Sequence, residues 1–435
     1  MSWLWQGALP FAGVLGSVVL FHEFGHYLAA KAFGITVEVF SVGFGPRLWG
    51  FTARGTEYRL SWVPLGGYVK LRGESAPEDG SPPDPGDMMA HSRPRRFIVF
   101  VMGAVFNLAT AFGLTALIFM KGVQEPAYLY APPVVGEVDA DSPAKAAGIV
   151  TGDRILSFGG KPIANWKELQ IQILLNPRQT LDVVLDRAGQ TVSTRLEILS
   201  TTNDVGRMAI FPDTGVLVGG LQAGWPAERA GLRKGDRVVA IDGVPMRSVN
   251  AVFEAIQGAA GKPLRFTLDR QGQPLEMSII PRDDGGKGRI GFMPTAPMVT
   301  RTYPFLQAAR ESVRQNVEAI GLVFVTFRKL LRRELSFRAF SGPVDLYRFS
   351  GEAAGEGLIP FLQLIAFVSL QLGIINLFPI PPLDGGHLFT IAIEGLIRRD
   401  LSTVLKERVM QAGLILLLLF MGTVIYFDIS KNFFH

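Results

Sequence analysis

The sequence predicts a polytopic α-helical membrane protein: four transmembrane helices, a β-rich segment between the first and second, and a duplicated α+β insert between the second and third. Three observations predict it. Hydrophobic residues make up 48% of the 435-residue chain and charged residues only 19%, a more apolar balance than globular proteins carry. The excess is gathered into four blocks, Gly7–Phe21, Phe97–Met120, Ile359–Phe378 and Ala412–Phe427. The polar stretch between the middle two blocks matches itself at a constant offset, the mark of duplicated modules.

The second and third blocks are long enough to cross a hydrocarbon layer of about 30 Å as helices. The first reaches that length only by including the histidines that follow it, and the fourth only by extending into its flanks. Helical spans are expected within residues 1–34, 97–120, 359–380 and 412–429. The other reading of the first block, a cleaved signal peptide, lacks a basic leading region and a small-residue cleavage site followed by soluble sequence. The absence of cysteine excludes a disulfide framework. The net charge of +5 does not point to nucleic acid, because the basic residues cluster beside the apolar blocks. Nine lie between Lys31 and Arg96, and four between Arg398 and Arg408. An even number of crossings separates these clusters, so both lie on one side, and the positive-inside rule makes that side cytoplasmic. Residues 35–96 and 381–411 are then expected inside, with both termini and the insert Lys121–Leu358 outside.

Within the insert, Ser142–Ile163 matches Trp225–Met246: Pro143 pairs with Pro226, Gly148 with Gly231, Gly152-Asp153-Arg154 with Gly235-Asp236-Arg237, and Gly160 with Gly243. Each copy reads as a short helix with a glycine cap, a turn, a β-branched strand and a second Gly turn. The shared A-G-[IL]-x-x-G-D-x-[IV] pattern resembles the PDZ family, which implies two extracytoplasmic α+β domains at 127–200 and 215–282. PDZ domains bind extended peptide ends by strand addition. The plainer alternative is a pair of inert spacers; the expected role is a steric filter that admits only substrates already trimmed outside, with a grip on a newly exposed peptide end as a second, weaker one. Tyr303–Leu335 has helical periodicity, with an apolar centre too short to span a bilayer. Residues 303–350 are expected to form an extracytoplasmic amphipathic helical segment lying on the membrane or on the protein. On the inner side, Gly55–Leu71 alternates like β-strands, and Gly73–Arg96 reads as a linker or mobile loop.

The chemistry is carried by "HEFGH", His22 to His26. Residues at i and i+4 share a helix face, so His22 and His26 can reach one metal ion. Glu23, one residue on, is placed to act as a base instead of a ligand. A pair of satisfied histidines on an apolar helix is the plainer reading. Against it, the chain has only five histidines, and polar groups deep in a membrane segment are costly unless they function. Zinc needs a third protein ligand, with the fourth position left open for chemistry. "NLFPIPPLDGGH", Asn376 to His387, ends the third block and offers Asp384 and His387. Prolines break the helix there and a Gly pair permits a tight turn that can aim a side chain back into the bundle.

HExxH in the first span, a distant N-x-x-P-x-x-x-L-D-G and intervening PDZ domains resemble, almost end to end, the site-2 protease family of intramembrane zinc metalloproteases. "GAVFN" (Gly103–Asn107), "PLGGYVKL" and "SGPVDLY" are similar to its sigma-regulator branch. The resemblance implies one zinc ion held by His22, His26 and Asp384, with Glu23 as catalytic base. It implies that Asn376 and Pro379 position substrate, and that the segment containing Gly66 and Gly67 forms a membrane-associated β-hairpin that does the same. The family often has G-P-x-x-N in the second helix; Ala104 stands at the proline position, which leaves Asn107 available for substrate. It further implies a bacterial inner-membrane enzyme that cuts single-pass membrane proteins such as anti-sigma factors, with remnant signal peptides as a second class. A membrane-anchored PDZ scaffold with a structural metal site is the rival function; it calls for four protein ligands and no adjacent base. An ion or proton transporter would need more ionisable residues in the other apolar blocks.

Overall fold

The computed structural model describes residues 2–74, 83–201, 206–207, 209–337 and 340–433. The chain forms two compact units. A helical unit takes the chain up to Gly122, then Thr302–Phe327 and the chain from Phe340 onward; the second unit takes Val123–Arg301 and 328–339.

Among the described residues, four helices are long and apolar enough to cross a membrane: Gly7–Phe33, Arg93–Lys121, Leu358–Asn376 and Thr403–Ser430. They coincide with the four expected blocks, with the last helix beginning well before its apolar block, at Thr403. The first two approach so closely that a side chain at Gly25 would strike the Met102 carbonyl. Val14, Val18 and Ile365 join the first and third helices, and Ala111, Leu370 and Ile374 the second and third.

Between the first two helices, Val37–Ala53 pairs with Thr56–Leu71. The sequence expectation placed the hairpin within Gly55–Leu71; the partner is the whole preceding segment. Val39 to Val42 stand opposite both Glu57–Leu60 and Gly67–Lys70, so the two long strands bend into a small sheet instead of a simple hairpin. Its inner half is cored by Ile35, Val37 and Leu71 against Ala29, Ala30 and Val99 of the flanking helices. Its outer half exposes Leu48, Trp49, Phe51, Leu60 and Trp62. Of the linker expected at Gly73–Arg96, residues 75–82 lie outside the described residues. The remainder is anchored and not loose: Met88 is buried in the same core, and Arg72 Nε donates to Asp87 Oδ1 at 2.6 Å.

The segment expected at 303–350 contains two helices, Phe305–Leu331 and the start of Pro343–Glu356. The part of the first that belongs to the helical unit covers protein. Ser312 Oγ donates to Phe112 O at 2.7 Å, Ala319, Ile320 and Val323 pack against Ala111 and Leu370, and the Phe327 ring lies 5.0 Å from Phe378. "SGPVDLY" opens the second helix, where Asp428 Oδ2 accepts Val344 N–H at 2.8 Å, the favourable pairing of a carboxylate with a helix N-terminus.

In the second unit, each repeat forms an α+β module. The first has a four-stranded sheet over a core of Ile155, Phe158, Leu169, Val183 and Leu196; the second has a six-stranded sheet over Val238, Val252, Phe266 and Leu268. Both modules extend past the expected limits of 200 and 282. Ile210–Pro212 pairs with Val135–Val138 in the first, and Phe292–Thr295 pairs with Val216–Leu221 in the second. These closing strands have three and four residues, too few for alternation to be legible, yet they are separated by nearly the same offset as Pro143 and Pro226.

The duplication also preserves an ion pair between a buried carboxylate and a partly exposed arginine. Arg187 donates to Asp153 at 2.8 Å and to Gly148 O at 2.6 Å; Arg270 donates to Asp236 at 2.7 Å and to Gly231 O at 2.8 Å. The Arg270 guanidinium holds the Asp236 carboxyl below the ordinary carboxylate range, against the burial that would raise it. A depressed folded pKa means the stabilisation is complete above the unfolded value near 3.9 and is lost as pH falls through the folded value. Removing the Asp236 charge weakens its buried hydrogen bonds to Arg270 and to Arg233 N–H and leaves the partly exposed guanidinium unpaired. Asp236→Asn should therefore accelerate amide hydrogen exchange in Val216–Leu221 and Arg237–Ile241 roughly tenfold or more. The first module should be spared, and the difference from wild type should shrink on acidification below about pH 4.

Candidate metal centre

His22 and His26 lie on one face of the first apolar helix, four residues apart as HEFGH requires, and both are buried. Their Nε2 atoms stand 3.2 Å apart. Asp384 reaches them from the opposite end of the unit's sequence. Its Oδ2 lies 3.1 Å from His22 Nε2 and 3.3 Å from His26 Nε2. The Pro-rich turn after Asn376 brings it there. Asp384 opens the helix Asp384–Ile397, where sequence reading expected loop. Gly385 and Gly386 let that helix start tight against the turn: a side chain on Gly386 would stand 2.6 Å from Pro381 N, and one on Gly385 would overlap the Phe378 carbonyl. A helix of 14 residues is too short to be read as a span, and the Arg398-Arg399 pair that follows it made it look like a connection.

The three donors fit a metal ion. His26 Nδ1 lies 2.8 Å from Val99 O, which fixes the proton on Nδ1 and leaves Nε2 a bare lone pair. Asp384 Oδ2 is buried and accepts no hydrogen bond. Lone pairs facing each other at these distances need a cation between them. Tetrahedral ligands about 2.0–2.1 Å from zinc stand about 3.3–3.4 Å apart, close to the separations found. Among the described residues this is the one cluster of three or more such side chains able to hold a metal. His387 is not part of it; its ring stacks on Phe100 with centroids 4.5 Å apart.

Glu23 is held beside the triad but outside it. Its Oε2 accepts Val69 N–H at 2.9 Å. Val69 stands opposite Phe40 in the sheet, so an amide that reaches Glu23 points away from that pairing and turns the strand edge toward the site. Gly67 lies over Glu23, 3.7 Å from its Cγ to the position a side chain would take, and such a side chain would crowd Ser41 O at 2.6 Å. A side chain on Gly66 would overlap the Phe44 ring. The sheet backbone thus requires Gly67, whose contact with Glu23 is an ordinary one, and the positive φ of Gly66 and the Phe44 ring disfavour any side chain there. Asn376, at the end of the third apolar helix, is buried with its amide nitrogen 3.3 and 3.4 Å from the two ring nitrogens of His22. Pro379 is exposed in the turn beyond it. Asn107 is fully buried and touches His22 from the second helix at 3.4 Å.

Sequence reading missed two parts of this site. Val69 was hidden because a backbone donor carries no residue signature. Gly103 was seen only as part of a motif: a side chain there would overlap His26 Nε2 and stand 2.7 Å from His22 Cε1, so the second helix must present bare backbone to the histidines.

The model of peptidase family M50 matches residues 10–420. The chain belongs to peptidase family M50. It is a metalloprotease, and its relatives agree. The regulator of sigma-E protease RseP of Escherichia coli is 31% identical over 99% of this chain and 100% of its own length. A protein of Vibrio cholerae that carries the name putative zinc metalloprotease is 31% identical over 98% and 99% of the two chains. Another so named in Neisseria meningitidis is 31% identical over 97% and 98%. Among solved structures, the PDZ domain of an SdrC-like protein of Listeria innocua covers 19% of this chain and 96% of its own, at 26% identity and a TM-score of 0.18.

Proposed function

We propose that this M50 peptidase is an intramembrane endopeptidase that uses one zinc ion, held by His22, His26 and Asp384, and Glu23 as its base. The convergence of His22 Nε2, His26 Nε2 and Asp384 Oδ2 next to a glutamate held apart by Val69 N–H carries the reading. A structural metal site would close with a fourth protein ligand and would have no use for Glu23. Zinc there supplies Lewis acidity and lowers the pKa of a water towards about 7. Glu23, with one oxygen tied to Val69 N–H, takes the proton of the attacking water on the other oxygen and returns it to the departing amine. The first apolar helix carries the base and two ligands rigidly, so their relative placement costs nothing at the moment of reaction.

A helical substrate must unwind before its peptide carbonyl is accessible. Glu23 holds Val69 N–H and Glu74 holds Leu71 N–H, so the strand edge at Gly67–Leu71 receives the unwound segment by strand addition through the carbonyls beside them. Asn376 supplies a side-chain amide next to that path, and Pro379 shapes the turn that places it. Asn376→Ala should keep its zinc and lose about 10²-fold or more in kcat/KM. Measuring kcat and KM separately assigns the residue: a fall in kcat marks polarisation of the carbonyl, a rise in KM marks holding of the strand.

The membrane orientation follows from the basic clusters: the catalytic unit's loops on the cytoplasmic face of a bacterial inner membrane, both termini and the PDZ modules outside. The exposed Trp49, Phe51 and Trp62 of the sheet suit a membrane interface. The E. coli relative is named regulator of sigma-E protease, which fits substrates of the anti-sigma-factor type; single-pass membrane proteins of that kind, with remnant signal peptides as a second class, are what the family resemblance implies. The test uses detergent-solubilised protein and a peptide that spans a membrane once. Cleavage within the apolar segment should stop on chelation and return with zinc. Cleavage confined to the polar flanks, or indifferent to chelation, would refute the proposal.

A further inference from the structure

Both ligating histidines need a partner for Nδ1, because only an imidazole protonated on Nδ1 presents a bare Nε2 to a metal. His26 has the carbonyl of Val99. Among the described residues, the side chains within reach of His22 Nδ1 are two buried asparagines. Asn376 Nδ2 lies 3.4 Å from Nδ1 and 3.3 Å from Nε2. The in-plane axes of the two ring nitrogens diverge, so an atom nearly equidistant from both lies on neither, and Asn376 makes no directed bond to the ring. Asn107 is different. It is fully buried, and its side-chain amide meets Nδ1 at 3.4 Å.

The orientation of that amide is decided by Ser369, also fully buried. Ser369 Oγ lies 2.9 Å from Asn107 O and 3.5 Å from the second arm of the Asn107 amide. A backbone carbonyl can only accept, so the one hydroxyl hydrogen goes to Asn107 O. Were the second arm the amide oxygen, it would need that same hydrogen. Nitrogen and oxygen of a side-chain amide exchange places by a half-turn that leaves the shape unchanged. With nitrogen towards Ser369, the amide donates to a free Oγ lone pair, and the oxygen faces His22. His22 Nδ1–H then donates to Asn107 Oδ1, and every group in the chain has a partner of the right kind.

We propose that Asn107 is the positioning residue of His22, accepting its Nδ1–H so that Nε2 is free for the metal, with Ser369 locking the amide in that sense. This replaces the expectation that Asn107 contacts substrate, and it rests on His22 being a zinc ligand. It also explains why a polar side chain stands fully buried in an apolar helix without reaching the reaction path.

The test is zinc affinity of the full-length protein, measured by competition with a chromophoric chelator, together with the visible absorption of the Co(II)-substituted protein. Asn107→Leu should weaken zinc binding about 10–100-fold and alter the Co(II) spectrum, since outer partners of ligating histidines carry that much. Asn107→Asp, which keeps an acceptor in the same place, should bind zinc within a few-fold of wild type or tighter. Ser369→Ala should weaken binding in the same direction but less. Wild-type zinc affinity in Asn107→Leu with a raised KM would overturn the proposal and return Asn107 to the substrate. An Asp variant that binds zinc poorly would also overturn it, and that variant suffices if the leucine variant does not fold. Should His22→Ala retain zinc at wild-type affinity, the failure lies in the ligand assignment and not in Asn107.

Discussion

Glu23→Gln should carry zinc at the wild-type level and lose catalysis, with the rate falling by roughly 10²–10⁴-fold. The amide is the same size as the carboxylate and can still accept Val69 N–H, which now holds Glu23 Oε2 at 2.9 Å. The side chain therefore stays in place and only its capacity to take a proton is removed. The three donors that could hold a metal come from other residues, and Glu23 is not among them. Metal content by elemental analysis, alongside single-turnover cleavage, checks the prediction. A variant depleted of zinc would make Glu23 a ligand and leave the base unassigned.

His22→Ala, His26→Ala and Asp384→Asn should each lose zinc and activity together. A three-ligand site has no spare, and removing a ligand should weaken binding beyond the 10–100-fold expected for an outer partner. Asp384→Asn keeps the shape and removes the charge that faces both Nε2 atoms at 3.1 and 3.3 Å. His387→Ala should be mild, because that ring packs on Phe100. Zinc titration of the four variants ranks them. A ranking with His387→Ala as severe as His22→Ala, and Asp384→Asn mild, would transfer the third position to His387.

The two candidate histidine ligands were legible in the sequence because the i, i+4 spacing of HEFGH is a statement of helix geometry, and polar residues at membrane depth are rare enough to stand out; that Asp384 and not His387 joins them was left open by the residues alone. The duplicated modules were legible because their glycine turns and the buried aspartates recur at one offset. What stayed hidden was set by tertiary contact. Val37–Ala53 contains Gly43, Gly45, Pro46 and Gly50, which break the alternation of a strand, and its partner Thr56–Leu71 is what makes it one. Asp384–Ile397 is apolar enough for a helix but too short for a span, so the basic residues after it dominated the reading. The limits of both modules were set too early, because a strand of three or four residues is defined by the neighbour it pairs with. Asn107 was visible as a motif residue, but its role depends on Ser369, 262 positions away.

X-ray absorption at the zinc edge, on the purified protein without substrate, bears most directly on the three-ligand centre. The expected shell holds two imidazole nitrogens, one carboxylate oxygen and one further light ligand that is not protein. That shell should be unchanged in His387→Ala, and one imidazole should be missing in whatever zinc His26→Ala retains. A third imidazole in the wild-type shell, or a shell filled by four protein ligands, would contradict it.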